Sequence, residues 1–317
     1  MRRFFLTSIL ATASLVGVAG DELVKFGDFE HWITRTVKES VLVGGQTRTL
    51  YEVGPVQAWA TNRPYTNQGG SPWATSNVYA KVAGVVKSNE SVYPDTHGTG
   101  KCAKLETREV KCKAIGIINI SVLAAGSLFT GEMIEPITSS TNPMSKMNTG
   151  MSFTRRPKAI KFDYKVKLSG EAGRIRQTGF SKKSQVEGKD LCEALVLLQR
   201  RWEDSDGKIH AKRVGTMWRR FSKNTDWVSG ASFDIHYGDI SETPYYRSYM
   251  ELQNEKSDRV YYATNSRGKQ VMVEEEGWAD ADEAPTHIII FFNSSHGGAY
   301  VGSIGNTMWV DNVKLTY

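Results

Sequence analysis

The chain has 317 residues, of which 40% are hydrophobic, 23% charged and 10% aromatic, and its formal charge is +6. These are globular values, so collagen, coiled coil and disorder are excluded, and the length allows one large domain or two ordinary ones. Twenty-nine Gly against nine Pro, with eight Trp and 13 Tyr, lean towards a turn-rich β protein.

Residues 1–19 read as a secretory signal peptide. Arg2 and Arg3 precede an uncharged apolar run from Phe4 to Val18, and Gly17 and Ala19 place small residues before a cut at Gly20. The run is too short for a membrane span and no other stretch approaches one. The mature protein, residues 20–317, is therefore expected to be exported: periplasmic, on the cell surface or secreted. Without Arg2 and Arg3 the balance is 38 basic to 34 acidic residues, or +4. The basic residues are interspersed, not gathered in a stripe, which argues against a nucleic-acid partner. Cys102, Cys112 and Cys192 have no metal spacing, and one is left over from any single disulfide.

Strands follow in chain order. Lys25-Phe26-Gly27-Asp28-Phe29-Glu30-His31-Trp32 opens the mature chain, with Glu30 on the face of Trp32. Ala103, Leu105 and Thr107 alternate with Lys104, Glu106 and Arg108 behind a turn at Gly98-Thr99-Gly100-Lys101. From Ile160 to Leu168 every even position is apolar and every odd one charged, the period of a half-buried strand. Ala194 to Leu198 and Ile288 to Phe292 read as strands buried on both faces. Phe233 to Tyr237 and Thr307 to Tyr317 alternate again. Helical periodicity is scarce, with one short helix expected within Tyr245 to Glu255. Many strands, turn clusters between them and no βαβ rhythm predict a single all-β domain, an antiparallel β-sandwich of the jelly-roll kind with few short helices. The polar stretch 240–284 reads as an insertion or long excursion.

Two carboxylates stand out. In the last strand Asp311 alternates in phase with Trp309, Val313 and Leu315; the opposite face, with Met308 and Val310, is an equally good core. A carboxylate on a buried face needs a partner. If the terminal strands pair, Glu30 and Asp311 meet, and a hard cation between them relieves their repulsion.

The ends of the chain, Gly27-Asp28-Phe29-Glu30-x-Trp32 and Trp309-Val310-Asp311-Asn312-Val313, resemble the terminal signatures of jelly-roll carbohydrate-binding modules. That resemblance implies a structural calcium held by Glu30 and Asp311, with Asp28 as a further ligand. A longer series resembles one narrower family. It runs through Trp73-Ala74-Thr75-Ser76-Asn77, Gly100 to Thr107, Ala124 to Gly131, Phe153-Thr154-Arg155-Arg156-Pro157, Phe162-Asp163-Tyr164-Lys165, Asn293 to Gly298 and Gly302 to Thr307. The family is the putative carbohydrate metabolism domain of Bacteroidetes, and the resemblance spans nearly all of the mature chain. Family members often carry an immunoglobulin-like domain in front; here the signature begins within ten residues of the expected cut.

Catalytic motifs are scarce. There is no GxSxG or HExxH, and the six His are scattered. A glycoside hydrolase needs two carboxylates across a cleft. Glu132, Glu135, Asp163, Glu193 and Asp234 are candidates, and no pair among them is singled out. Sugar binding needs an aromatic ring and a few polar groups. Trp32 and Trp309 read as core or as neighbours of the cation site. Trp73, in a Gly-rich setting with Thr75 and Asn77, is the expected platform, and Arg156, Ser294, Ser295 and His296 are expected to line the same face. The expectation is an exported, non-catalytic carbohydrate-binding protein. The alternatives are a glycoside hydrolase or polysaccharide lyase on the same fold, or a surface-assembly protein.

Overall fold

The alternating strands assemble as two sheets facing each other in a computed structural model. The structure describes residues 20–59, 62–67, 69–114, 118–139, 141–170, 173–179, 182–257 and 259–317. The signal peptide expected at 1–19 lies outside the described residues.

A front sheet runs in the order Thr225–Asp234, Ala159–Lys167, Thr307–Thr316, Gly100–Glu106 and Val92–His97, all antiparallel. The expected meeting of the chain ends occurs: Asp21–Leu23 pairs with Lys314 to Thr316, and Val24 and Gly27 exchange backbone hydrogen bonds with Val313. The back sheet centres on the hairpin Cys192–Glu203 and Ile209–Phe221, flanked by His287–Asn293 on one side and Gln270–Trp278 on the other. Tyr261–Thr264, Met147–Thr149 and Ser127–Met133 continue it, and Ser127–Met133 pairs with His287–Asn293 as well. The back sheet thus curls until its edges meet. Among the described residues there is no α-helix. The helix expected within Tyr245 to Glu255 is a single 3₁₀ turn at Ser248–Met250. No helix among them is long and apolar enough to cross a membrane.

The period-2 pattern explains the main core. Ile160, Phe162 and Val166 from the front sheet meet Ala194, Val196, Leu198, Ile290 and Phe292 from the back sheet, all buried. The curl explains why two runs are apolar at every position. Leu195, Leu197, Ile289 and Phe291 face a second core with Phe129, Trp218 and Tyr261. The stretch 240–284 completes it, supplying two strands of the back sheet and burying Ile240 and Met250.

The last strand resolves the ambiguity around Asp311 in an unforeseen way. Met308 and Val310 are in the core, and so are Val313 and Leu315. Between them Asn312 is left-handed, with φ 53°, and the register against Ala159–Lys167 slips by one residue. This bulge inserts an extra residue and switches the inward face. Asp311 therefore lies on the outer face with Trp309, although it is only 4% exposed. A β-branched residue fits this backbone poorly. In urea denaturation, Asn312→Val is expected to be less stable than Asn312→Gly by about 1–2 kcal/mol; equal stabilities would contradict the bulge.

All three cysteines are free. Cys102 lies opposite Asp95 in the front sheet, whereas Cys112 lies opposite Ile120 in a separate hairpin.

Candidate functional site

The expected platform is in the core. Trp73 is 2% exposed. Its ring packs edge-on against Phe29 at 5.4 Å and beside Phe292 at 6.3 Å, and its Nε1 donates to the Lys25 carbonyl at 3.0 Å. A ring enclosed in this way has no face for a pyranose. Its companions are structural too. Thr75 donates to Glu52 at 2.8 Å. The Asn77 amide donates to the Tyr51 and Val92 carbonyls and accepts from the Ser91 and Val92 amides. Both residues are fully buried, so their amide and hydroxyl groups satisfy backbone and carboxylate partners that burial would otherwise leave unpaired.

The remaining residues of that expected face are divided. Ser294 is buried and bridges Thr107 at 2.8 Å and the Gly126 amide at 2.9 Å. Ser295, also buried, donates to Asp190 at 2.8 Å. His296 Nδ1 accepts from the Leu191 amide at 3.0 Å. Arg156 lies elsewhere, with its guanidinium 4.1 Å from the centre of the Tyr237 ring and bonded to the Ala281 and Glu283 carbonyls. The structure does not gather these residues around one cleft.

A different tryptophan is available. Trp202 is 40% exposed, and among the described residues it is the most exposed Trp. Its position follows from the hairpin. Cys192–Glu203 is buried as far as Gln199, after which the strand runs past the core towards the turn at Ser205-Asp206-Gly207. There Trp202 lies opposite His210, and the two rings stack at 5.5 Å and 17°. His210 is fixed in turn, Nδ1 at 2.6 Å from Glu276 and Nε2 at 3.0 Å from Asp204. Bonds to both carboxylates, that to Asp204 first, raise its pKa above the ordinary 6.5. One face of the indole is thus backed by a clamped imidazole ring.

Trp202 borders a groove of about 440 Å³ at this end of the back sheet. Asn148, Arg201, Glu203, Thr264 and His287 also line it. Arg201 bonds Gln199 at 2.8 Å and the Thr149 carbonyl at 2.9 Å, while its Nη2 is buried without a hydrogen-bond partner. Burial brings its pKa down to about 10, so it stays charged at neutral pH. Burial, helped by Arg201, pushes His287 down to about 4, which leaves a neutral imidazole. Glu203 is the one carboxylate in the lining and is held below its usual range by hydrogen bonds from Ser266. The groove thus offers one aromatic platform beside several groups that bond hydroxyls.

The other candidate carboxylates do not converge there. Glu193 is fully buried and paired with Arg259 at 2.5 Å and Arg220 at 3.5 Å. Glu135 is paired with Arg35 at 2.5 Å. Asp234 borders a second cleft of about 310 Å³ with Trp218, Tyr245 and Tyr249.

The expected cation ligands are rearranged. Asp311 Oδ2 is 2.6 Å from His97 Nδ1, and Asp311 lies opposite Asp163 across the sheet. Ligand atoms of these three residues lie within 4.8 Å of one another. Glu30 and Asp28 are not in the group. Glu30 accepts the Lys101 amide at 3.0 Å, while Asp28 Oδ1 is buried without a hydrogen-bond partner. Trp309 donates to Asp95 at 2.9 Å, and Trp32 is in the core.

The family model described as putative carbohydrate metabolism domain matches residues 29–316. The chain belongs to this family. The putative carbohydrate metabolism domain therefore spans both sheets and both clefts. Among solved structures, a putative glycoside hydrolase from Bacteroides thetaiotaomicron is similar with a TM-score of 0.46 at 19% identity, over 86% of this chain and 76% of that one. A putative glycoside hydrolase from Bacteroides vulgatus gives 0.42 at 15%, over 76% and 90%. A carbohydrate-binding module from the β-sandwich superfamily gives 0.26 at 8%, over 86% and 69%. At these scores the likenesses carry no functional argument. No curated protein matches the chain.

The sequence pattern singled out Trp73 and assigned no role to Trp202. A signal was present. The turn at Ser205-Asp206-Gly207 makes a hairpin, and a hairpin there sets Trp202 across from His210.

Proposed function

We propose that the protein is an exported, non-catalytic carbohydrate-binding protein that holds a glycan in the groove beside Trp202. The observation that carries this reading is the exposed indole, backed by His210, on the rim of a polar groove. A pyranose presents an apolar face to such a ring while its hydroxyls bond amides, carboxylates and guanidinium groups. Membership of a carbohydrate family supports a sugar as the ligand. Binding is favoured over hydrolysis because Glu203 is the one carboxylate lining the groove, and acid-base cleavage of a glycosidic bond calls for two.

A glycan array on residues 20–317, followed by titration calorimetry of the hits, tests the proposal. Specific binding without new reducing ends is expected; no bound glycan, or turnover of the hits, overturns it.

The clamp beneath Trp202 adds a pH dependence. His210 gains its partners on folding, so its contribution is complete below about 6.5 and is lost as pH rises through the raised folded value. Glycan affinity is expected to weaken over that rise in the wild type and to stay flat over the same range in His210→Gln. Parallel pH profiles of the two proteins would contradict the role given to the clamp.

A further inference from the structure

The cluster on the outer face of the front sheet does not have the composition of a calcium site. Calcium takes six to eight oxygen ligands. Here an imidazole nitrogen is the nearest partner of Asp311, while the two N-terminal acids expected as oxygen ligands stay outside the group. Two carboxylates and one imidazole form the mixed nitrogen and oxygen set that suits zinc-class ions.

We infer that His97, Asp163 and Asp311 form a binding site for a first-row transition dication of the zinc class. Asp163 is 9% exposed and Asp311 4%. They are cross-strand neighbours, and among the described residues no Lys or Arg is within ion-pair range of either. Two carboxylates so close and so shielded repel each other unless a positive charge stands between them. A dication balances both.

The three side chains are already oriented. The His97 ring stacks on Trp227 at 3.8 Å and 16°. Asp163 Oδ1 accepts from the Gly230 amide at 2.5 Å, and its Oδ2 from the Asn312 side chain at 2.8 Å. Asp311 Oδ1 accepts from the Asn312 amide at 2.7 Å. Each carboxylate oxygen has a second lone pair, so these bonds aim the ligands without using them up. The bulge at Asn312 turns Asp311 to this face and places the Asn312 amide and side chain against both carboxylates.

The test uses residues 20–317 stripped with a chelator and dialysed. At about 100 times the dissociation constant, Zn²⁺ is expected to raise the melting temperature by about 5 °C or more, with one equivalent retained by elemental analysis. Ca²⁺ at the same concentration is expected to leave it unchanged. His97→Gln, which removes the nitrogen ligand and keeps the stacked position polar, should lose the shift and the bound zinc. The visible absorption of Co²⁺ loaded into the wild type should also vanish in that variant. Stabilisation by Ca²⁺ that depends on Glu30 and Asp28 would overturn the inference, as would zinc retained by His97→Gln or no stabilisation by either ion.

Discussion

Trp202→Ala is expected to lower the affinity for the bound glycan by about 30-fold or more, the loss of at least ~2 kcal/mol when a tryptophan anchor is truncated. The fold should hardly notice. Trp202 is on the projecting end of a hairpin, and among the described residues its one ring neighbour is His210. Its melting temperature should therefore stay within about 2 °C of the wild type, since exposed substitutions typically change stability by about 0.5 kcal/mol or less. Trp202→Phe keeps a ring on the same backing and should retain part of the affinity. An alanine variant that binds as tightly as the wild type would remove the platform from the account.

Trp73→Ala should do the reverse. The indole fills the space between Phe29 and Phe292 and donates to the Lys25 carbonyl, which ties the N-terminal segment to the main core. Removing a buried tryptophan costs about 3–5 kcal/mol, about 10 °C in a domain of this size. Affinity of the folded fraction for the glycan should remain that of the wild type. Chemical denaturation gives the first quantity and calorimetry well below the melting point gives the second. A stable Trp73→Ala protein that no longer binds would return the sugar site to the Trp73 strand.

These two tryptophans show what the sequence could and could not tell. Period-2 alternation reports which residues share a face, and it placed Ile160, Phe162 and Val166 correctly because that strand is regular on its inward side. It has no information on what lies across from a face. Trp73, with Ser71 two residues before it and Thr75 two after, looks like a surface residue only until Phe29 and Phe292 close over it. The curl of the back sheet was hidden for the same reason. Leu195 and Leu197 showed that a second face is buried, but not that Tyr261–Thr264 and Gln270–Trp278 would help to bury it. Strict alternation failed outright at Asn312, where one left-handed residue put Val310 and Val313 in the same core. The expected cation site depended on that register. Asp311 was rightly marked as anomalous, but its partners come from the hairpin at His97 and from the neighbouring strand at Asp163, positions far apart in sequence that only the strand order of the front sheet joins.

The indole resonances of the eight tryptophans, followed by NMR while the best array glycan is titrated in, locate the bound sugar directly. The Trp202 signal is expected to move most, together with backbone amides at Asn148 and Thr264, while the signals of Trp309 and Trp227 on the opposite sheet stay in place. Saturable shifts centred on Trp309 and Trp227, or on Trp218 in the second cleft, with Trp202 unmoved, would contradict a sugar site at Trp202.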